Sequence, residues 1–222
     1  KNLNNIKNGP TIFFGNEFFD SLPIKQMELT RLGWRERMIN YDKEKKNFFY
    51  SYSNKNSLLE RFLPKEKKNK KIGSIYEIPI NMIIFLEELF KKIKLSKSVS
   101  LIIDYSKKES FGNSLKSIKK QKIHHLFDEI GKSDISSHVD FNLIKEISKK
   151  FNLKINGPEN QKNFLLKLGI LLRAKKLMQN ASNKQKKMIK NSLDFLTHEK
   201  KMGKIFNVIS ISNKKINNLV GF

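Results

Sequence analysis

The segment GPTIFFGNEFFDSLP (residues 9–23) places an apolar run directly before a cluster of polar and acidic residues. Ile12 to Gly15 lack the apolar/polar alternation of a half-exposed strand and predict a strand covered on both faces, as in a parallel sheet. Parallel sheets present their ligand-binding groups at the carboxyl ends of their strands. Asn16, Glu17 and Asp20 are therefore candidate site residues, although the same side chains also suit caps of the turn or helix that follows.

A second segment of the same kind is SVSLIIDYS (residues 98–106), in which an apolar run is followed at once by Asp104 and Tyr105. The preceding residues 78–95 repeat apolar side chains at helical spacing and carry Pro79 near their start, which predicts a helix. A helix that feeds a buried strand ending in Asp is half of a doubly wound unit.

This pattern predicts how the two strands are arranged. We expect residues 12–15 and 99–103 to form adjacent parallel strands, because a helical connection joins parallel neighbours. Asn16 and Asp104 then lie at the same edge of the sheet. For Asp104 the alternative to a site role is a turn or cap after the strand, since strand ends serve both purposes.

Between the two strands lies an excursion that is too long for a simple crossover. Residues 24–53 alternate in part and contain turn signals at Gly33 and around Asp42, which predicts an antiparallel meander inserted at the ligand-binding edge. Trp34 serves either the core of this insert or substrate recognition. We expect the core, because a small insert needs its aromatic side chains for packing.

The remainder of the chain is predicted to be mainly helical over residues 107–203. The segment DFNLIKEISKKF begins with the N-cap candidate Asp140 and places its apolar residues along one helical face. Residues 204–212 then alternate like a late antiparallel strand near the sheet edge, a frequent addition to mostly parallel sheets. Together these patterns predict an α/β fold with an antiparallel β insert and additional carboxyl-terminal helices.

Composition limits the class of protein. The chain has 222 residues with 38% hydrophobic content and no cysteine, which removes disulfides, thiolate metal sites and cysteine nucleophiles. The net charge of +24 makes a basic nucleic-acid-binding protein one alternative. Lysines are spread through nearly every polar segment, however, and only PKEKKNKK (64–71) is a continuous basic run, so no specific nucleic-acid site is expected. No run approaches the ~20 apolar residues that a membrane span requires.

The histidines predict no metal site. His124, His125 and Asp128 lie close together in the sequence, but adjacent histidines on one element rarely face the same ion, and no third well-spaced ligand is evident. His138 stands two residues before Asp140, where a helix cap is the simpler interpretation and a substrate contact is the alternative.

Five motifs, in this order and at these spacings, resemble the carboxyl-terminal part of the MidA-like family of class I S-adenosylmethionine-dependent methyltransferases. They are NEFFDSLP (16–23), IDYS (103–106), DISSHVDF (134–141), GPENQKNFLLKLGI (157–170) and KMGKIFNVISIS (201–212). The resemblance runs from Gly9 to Phe206. The sequence departs from the family at Ser106, where Gly is usual, and at Lys162, where a small residue is common, which weakens any inference about the loop after Asp104.

The resemblance implies a Rossmann-like methyltransferase sheet, of which this chain is the second half, and S-adenosyl-L-methionine as cofactor. The family includes the mitochondrial methyltransferase that assists respiratory complex I assembly by modifying an arginine. Glu17 and Asp20 are then the carboxylates that orient a guanidinium, and Asn16 contacts the substrate or the methionine portion of the cofactor. The candidate substrate-lining residues are Asp104, Tyr105 and His138.

The resemblance also implies that a part is missing. Family members carry, before the strand that ends at Asn16, a glycine-rich loop for the methionine end of the cofactor and an acidic residue for its ribose. None of the ten glycines here forms a G-x-G loop after a strand. We expect residues 1–222 to be a single incomplete methyltransferase domain without its cofactor-binding half, and to be inactive alone; a first residue of Lys1 rather than Met agrees with this.

The function implied is arginine N-methylation of a protein, with a respiratory complex I subunit as the expected partner. An alternative is a catalytically inactive assembly or chaperone-like protein of the same fold, because fold alone does not establish activity. The implied location is the cytoplasm of a bacterium or the mitochondrial matrix.

Overall fold

The structure is a computed structural model that describes residues 3–54, 57–106, 109, 111–120, 122–128, 130–217 and 219–222. The chain divides into two compact units. The first, which we call the mixed-sheet unit, comprises Lys1–Phe19, Phe85–Ser106 and Val139–Phe222. The second, the antiparallel unit, comprises Asp20–Ile84 and Lys107–His138.

The described part of the chain forms eleven β-strands and five α-helices. In order they are β1 (Ile12–Asn16), β2 (Lys25–Thr30), β3 (Gly33–Asp42), β4 (Asn47–Tyr52), β5 (Ile75–Ile78), α1 (Ile80–Leu95), β6 (Val99–Tyr105), β7 (Lys116–Lys119), β8 (Lys122–His124), β9 (Asp134–Ser136), α2 (Phe141–Lys150), β10 (Lys154–Asn160), α3 (Gln161–Lys167), α4 (Ile170–Gln179), α5 (Asn183–Thr197) and β11 (Phe206–Ser212). Short 3-10 turns cover Leu3–Asn5, Leu58–Phe62 and Lys65–Asn69, and a π-helical turn covers Glu199–Gly203.

The mixed-sheet unit contains a four-stranded sheet in the order β1-β6-β11-β10. Strands β1 and β6 are parallel, with Ile12 opposite Val99 and Asn16 opposite Ile103. The prediction of two adjacent parallel strands is therefore confirmed, and Asn16 and Asp104 lie at the same edge of the sheet. The α/β class is what the helix-to-strand pattern predicted.

The prediction that β1 is covered on both faces is wrong for this chain. Within the described residues β1 is an end strand that pairs with β6, and Ile12 and Phe14 are 78% and 65% exposed. The apolar run was correctly assigned to a strand, but an apolar run does not report which side chains find a covering layer. An exposed apolar edge strand is an unusual feature that natural proteins ordinarily cover or protect with charge.

The prediction of a late antiparallel strand near the sheet edge is confirmed. β11 lies between β6 and β10, is antiparallel to both, and is second from the edge of the sheet. The outer position belongs to β10, whose sequence KINGPEN contains the turn-forming pair Gly157-Pro158 and gave no strand signal. The register of β10 shifts between Asn156 and Glu159, which accommodates that pair in a bulge.

Helix α1 and strand β11 each supply four buried apolar side chains to this unit. On α1 the helical spacing predicted from the sequence buries Leu86, Leu89, Phe90 and Ile93. Burial of one such side chain contributes about 1.5–3 kcal/mol. At the start of α2, Asp140 accepts hydrogen bonds from the backbone N–H groups of residues 142 and 143, which confirms it as the N-cap.

The antiparallel unit contains a sheet in the order β4-β3-β2-β5, so the meander expected over residues 24–53 is present. Its core consists of Met27, Trp34, Leu63 and Ile78, which confirms the core interpretation of Trp34. The mainly helical region predicted for residues 107–203 needs correction, because β7, β8 and β9 form a small antiparallel sheet before the first helix begins at Phe141. These strands have three or four residues each, too few to show a period.

The carboxyl-terminal helices α3 to α5 follow β10. Asn160 caps α3 through the N–H of Asn163, and Ser182 with Gln185 forms a capping box at the start of α5. None of the helices in the described part of the chain combines the length and apolarity that crossing a bilayer requires.

Candidate active site

The carboxyl end of β1 presents two exposed polar side chains, Asn16 and Glu17. The N–H of Glu17 donates to the carbonyl of Ile103 at 3.0 Å, which extends the pairing with β6 by one residue. Glu17 has φ = 49°, a left-handed conformation that costs a residue with a Cβ about 1–2 kcal/mol. Such strained residues concentrate at functional sites. The Nδ2 of Asn16 lies 3.5 Å from the Oε1 of Glu17, so the structure brings these two predicted residues together.

Asp104, at the end of β6, is 0% exposed. Its Oδ2 accepts a hydrogen bond from the N–H of Phe19 at 2.9 Å, and its Oδ1 accepts one from the N–H of Tyr105, also at 2.9 Å. These contacts support the interpretation of Asp104 as a residue that caps the turn after its strand. The carboxylate fixes the exit of β1 and so acts on Asn16 and Glu17 through the backbone.

Tyr105 packs within the sheet. Its ring lies against the ring of Phe206, with 4.1 Å between the centroids, and its carbonyl accepts the N–H of Val139 at 2.8 Å. Next to it, Ser106 Oγ accepts a hydrogen bond from the Nδ2 of Asn207 at 2.8 Å. Ser106 thus has a defined contact at the position where the sequence departs from the family.

Asp20 and His138 belong to the antiparallel unit. Asp20 is buried, and its Oδ2 accepts a hydrogen bond from Ser136 Oγ at 3.0 Å. Its carbonyl accepts the N–H of Ser137 at 2.9 Å, and the N–H of His138 donates to Ser114 Oγ at 2.9 Å. Asp20 therefore holds the segment that ends in His138, a relation that no sequence spacing indicated.

Each unit contains a largely apolar cavity. In the antiparallel unit a cavity of about 460 Å³ has Asp20 as its one charged lining residue; the others are Ser21, Leu22, Pro23, Ile24, Ile39, Phe48, Leu115, Leu126, Phe127, Ile130 and Ile135. In the mixed-sheet unit a cavity of about 580 Å³ runs along β1. It is bordered by an aromatic cluster in which Phe18 lies 5.1 Å from both Phe19 and Phe85, centroid to centroid.

Sequence reasoning missed a buried polar network around Glu77. The Oε1 of Glu77 accepts hydrogen bonds from Gln26 Nε2 at 3.1 Å and from the N–H of Ser114 at 2.8 Å, and its Oε2 accepts one from Ser114 Oγ at 2.6 Å. Gln26 also donates to Asn113 at 2.8 Å. Glu77 thus ties the segment before β7 to the larger sheet of this unit. Partners this distant in sequence leave no local pattern.

The glycines bear on whether this chain could hold S-adenosyl-L-methionine, the cofactor that the family resemblance implies. Its ten glycines are dispersed, and none forms a glycine-rich loop between a strand and a helix. Gly15, at the end of β1, has Phe18 Cβ 3.8 Å from where its own Cβ would stand, which is ordinary packing and not a cradle for a ligand. What the chain offers is the polar edge formed by β1 and β6.

The described residues contain no group of three His, Asp or Glu side chains placed to hold a metal ion. Of the sequence candidates, His125 accepts the N–H of Phe127 at its Nδ1, at 3.4 Å.

Comparisons with known proteins agree with this geometry. Residues 1–159 match the family described as "Putative S-adenosyl-L-methionine-dependent methyltransferase". The chain is 25% identical over 212 residues to the mitochondrial protein arginine methyltransferase NDUFAF7 of Danio rerio, covering 95% of this chain and 49% of that protein. It is 25% identical over 215 residues to the Homo sapiens protein of the same name, covering 95% and 47%. The chain thus spans about half the length of the curated relatives it matches.

Solved structures show the same fold. A crystal structure of an uncharacterized Burkholderia thailandensis protein superposes with a TM-score of 0.83 at 21% identity, covering 99% of this chain and 60% of that one. A second structure from the same organism, bound to S-adenosyl-homocysteine, superposes with a TM-score of 0.80 at 20% identity and covers 99% and 57%.

Proposed function

We propose that this chain, which belongs to the family of S-adenosyl-L-methionine-dependent methyltransferases, forms the substrate-side half of a protein arginine methyltransferase domain. The observation that carries the proposal is the parallel β1–β6 pair, which ends in the exposed side chains of Asn16 and Glu17. Ligands of open α/β sheets bind beyond the carboxyl ends of the strands. The names of the curated relatives support a protein arginine as the acceptor.

The chemistry requires orientation more than activation. S-adenosyl-L-methionine supplies an electrophilic methyl group when it is bound. The protein must align a guanidinium nitrogen with that carbon, and good alignment contributes about 7–11 kcal/mol to a reaction of this kind. A guanidinium stays protonated because its pKa is above ~12, so a carboxylate serves to orient it and to localise its charge.

We assign the orienting role to Glu17, whose carboxylate is exposed at the strand end next to Asn16. Asn16 then contacts the substrate or the methionine portion of the cofactor. Asp104 acts as a positioning residue through the Phe19 N–H. Asp20 stays a candidate carboxylate. Its hydrogen bond to Ser136 also gives it a positioning role in its own unit.

The finer parts of the proposal rest on the family resemblance. A subunit of respiratory complex I is the first protein substrate to test, and the compartment is the mitochondrial matrix or the bacterial cytoplasm. One competing function is an assembly protein that keeps the fold without methyl transfer, because fold alone does not establish activity. A glycine-rich loop in the polypeptide that completes the domain favours catalysis, and its loss favours the assembly protein.

The test combines this chain with a cofactor-binding half. The chain is co-expressed with the half of the Danio rerio relative that it does not cover, and methyl transfer from S-adenosyl-L-methionine to an arginine peptide is measured by mass spectrometry. The same peptide with lysine in place of arginine is the control. We expect one added methyl group on arginine and none on lysine. A complex that binds the cofactor and methylates neither peptide contradicts the arginine assignment.

A further inference from the structure

The carboxyl-terminal helical region carries a concentrated positive charge. Residues 161–204 contain twelve Lys or Arg and two acidic residues, Asp194 and Glu199. Both acids are already neutralised within the region. Glu199 pairs with Lys204 at 2.6 Å and with Lys162 at 3.0 Å, and Asp194 pairs with Lys201. The hydrogen bond from Lys204, followed by that from Lys162, lowers the pKa of Glu199 to about 2. Of the other cations, Lys167 pairs at 2.9 Å with Glu159, which lies just before this segment.

The same region exposes large apolar side chains. Seven stand at least one third exposed to solvent: Leu166, Leu168, Leu171, Leu172, Leu177, Met188 and Phe195. Leu172 is the most exposed of them, at 74%. No residue of helix α5 is fully buried, so the exposure extends along the whole helix. A concentration of exposed apolar side chains in one region indicates a candidate interaction site.

The cations and apolar side chains share the same helix faces. On α5, the inner face carries Ile189, Leu193 and Leu196, which are half-buried, while Lys184 and Met188 stand one turn apart on the outer face. Phe195 continues that outer stripe two turns beyond Met188.

Helix α4 repeats the arrangement. Ala174 is its buried contact, and Leu172 on the opposite face is followed one turn later by Lys175 and Lys176. The exposed stripe on each helix therefore alternates basic and apolar groups.

We infer that the α4–α5 hairpin binds the surface of an anionic lipid bilayer. Lysines attract acidic headgroups, and the interleaved Leu, Met and Phe side chains enter the boundary between headgroups and acyl chains. A nucleic acid fits less well, because single-stranded binding relies on aromatic stacking platforms. Here Phe164 is buried and Phe195 is the one exposed aromatic side chain of residues 161–204. The described helices do not cross a bilayer, so the contact is at the interface.

Vesicle sedimentation tests the inference with the full chain. Phosphatidylcholine vesicles containing about 30 mol% phosphatidylglycerol are compared with pure phosphatidylcholine vesicles. We expect binding to the anionic vesicles only, weakening as salt rises. The substitution Lys184→Gln/Lys187→Gln/Lys190→Gln removes three exposed cations from the hairpin. We expect it to reduce partitioning about a hundredfold, equivalent to roughly 1 kcal/mol for each lysine.

A matched control removes the same charge elsewhere. Lys65→Gln/Lys68→Gln/Lys71→Gln changes three exposed lysines of the antiparallel unit and is expected to bind as the parent chain does. This control and the hairpin variant have equal net charge, so a difference between them locates the contact.

A second pair of variants tests the apolar contribution. Leu172→Gln/Phe195→Gln alters exposed side chains of the hairpin, and Leu58→Gln/Ile72→Gln alters exposed side chains of the other unit. We expect only the first pair to weaken vesicle binding. Circular dichroism verifies that all variants fold. Equal binding of both lysine variants, equal binding to neutral vesicles, or binding to RNA without binding to vesicles each overturns the inference.

Discussion

At Glu17 local conformational preference conflicts with the observed backbone. The residue adopts φ = 49° although it has a Cβ, and its N–H is held by the carbonyl of Ile103. Glycine at this position relieves the left-handed strain and, by lacking a side chain, removes the carboxylate. If Glu17 served only the turn, glycine would be the better residue.

This gives the first prediction. Glu17→Gly is expected to melt at the same temperature as the parent domain or higher, while methyl transfer by the completed domain falls. Glu17→Gln keeps the shape and removes the charge. Because a hydrogen bond to a charged group contributes about 1.5–3 kcal/mol, turnover is expected to fall roughly tenfold to a hundredfold. Turnover and melting temperature are measured together. Unchanged turnover in Glu17→Gln would show that Glu17 serves only the turn.

Asp104 supports a second residue-level prediction. Asp104→Asn replaces one acceptor oxygen by an amide NH₂, which then faces the N–H of either Phe19 or Tyr105. A buried donor without an acceptor costs about 1–3 kcal/mol, so urea denaturation should show a loss of that size. Asp134→Asn, on an exposed residue of β9, is the control and should leave stability unchanged. Equal stability of both variants would show that the Asp104 carboxylate does not hold the turn.

At the level of elements, the stability of the junction between α5 and β11 is expected to depend on pH through Glu199. The hydrogen bond from Lys204 lowers the pKa of Glu199 to about 2 from an ordinary value of 4.5. Because the folded-state pKa is depressed, the stabilisation is fully present above pH 4.5 and is lost as the pH falls through about 2. Glu199→Gln should therefore lower the urea midpoint at pH 7, and lower it clearly less at pH 2, where the carboxylate is about half protonated. A difference between variant and parent that does not vary with pH would contradict the ion-pair explanation.

Strand β10 depends on a glycine for a steric reason as well as a conformational one. Gly157 has φ = 90°, and a Cβ there would stand 2.7 Å from the carbonyl oxygen of Val208. Gly73 has a similar φ of 88° with nothing within 4 Å, which makes it a matched control. Gly73→Ala is expected to cost about 1 kcal/mol from backbone strain alone, and Gly157→Ala clearly more. If thermal denaturation shows the same loss of stability for both variants, β11 accommodates the added Cβ at Gly157 without an energetic cost.

For the whole molecule, the glycine pattern predicts cofactor affinity. The chain has no glycine-rich loop to receive the methionine and ribose ends of the cofactor. We therefore expect titration calorimetry to show weak or no binding of S-adenosyl-L-methionine to this chain, and clear binding once a cofactor-binding half is present. Tight binding to the chain alone would show that these 222 residues bind the cofactor without a glycine-rich loop, and would contradict this prediction.

Local patterns in the sequence were sufficient for several elements and for one edge of the sheet. The apolar run before Asn16, the run before Asp104 and the helical spacing of α1 each predicted an element that the structure contains. The parallel pairing followed, because a helical connection between two buried strands constrains their direction. Trp34 was assigned to a core for the similar reason that a small insert has few other apolar side chains to bury.

Long-range contacts account for what the sequence did not reveal. The burial of Asp104 and its bond to Phe19 depend on the chain returning after an excursion of 85 residues, and the Glu77 network joins segments 37 and 51 residues apart. Neither leaves a periodic signal, since hydrogen-bond partners are selected by proximity in space. Similarly, the exposure of Phe14 depends on whether another layer packs against β1. The position of β11 inside the sheet depends on the pairing of β10 with its outer side. Periodicity reports how a segment folds locally; which neighbour covers it is set by the packing of the whole chain.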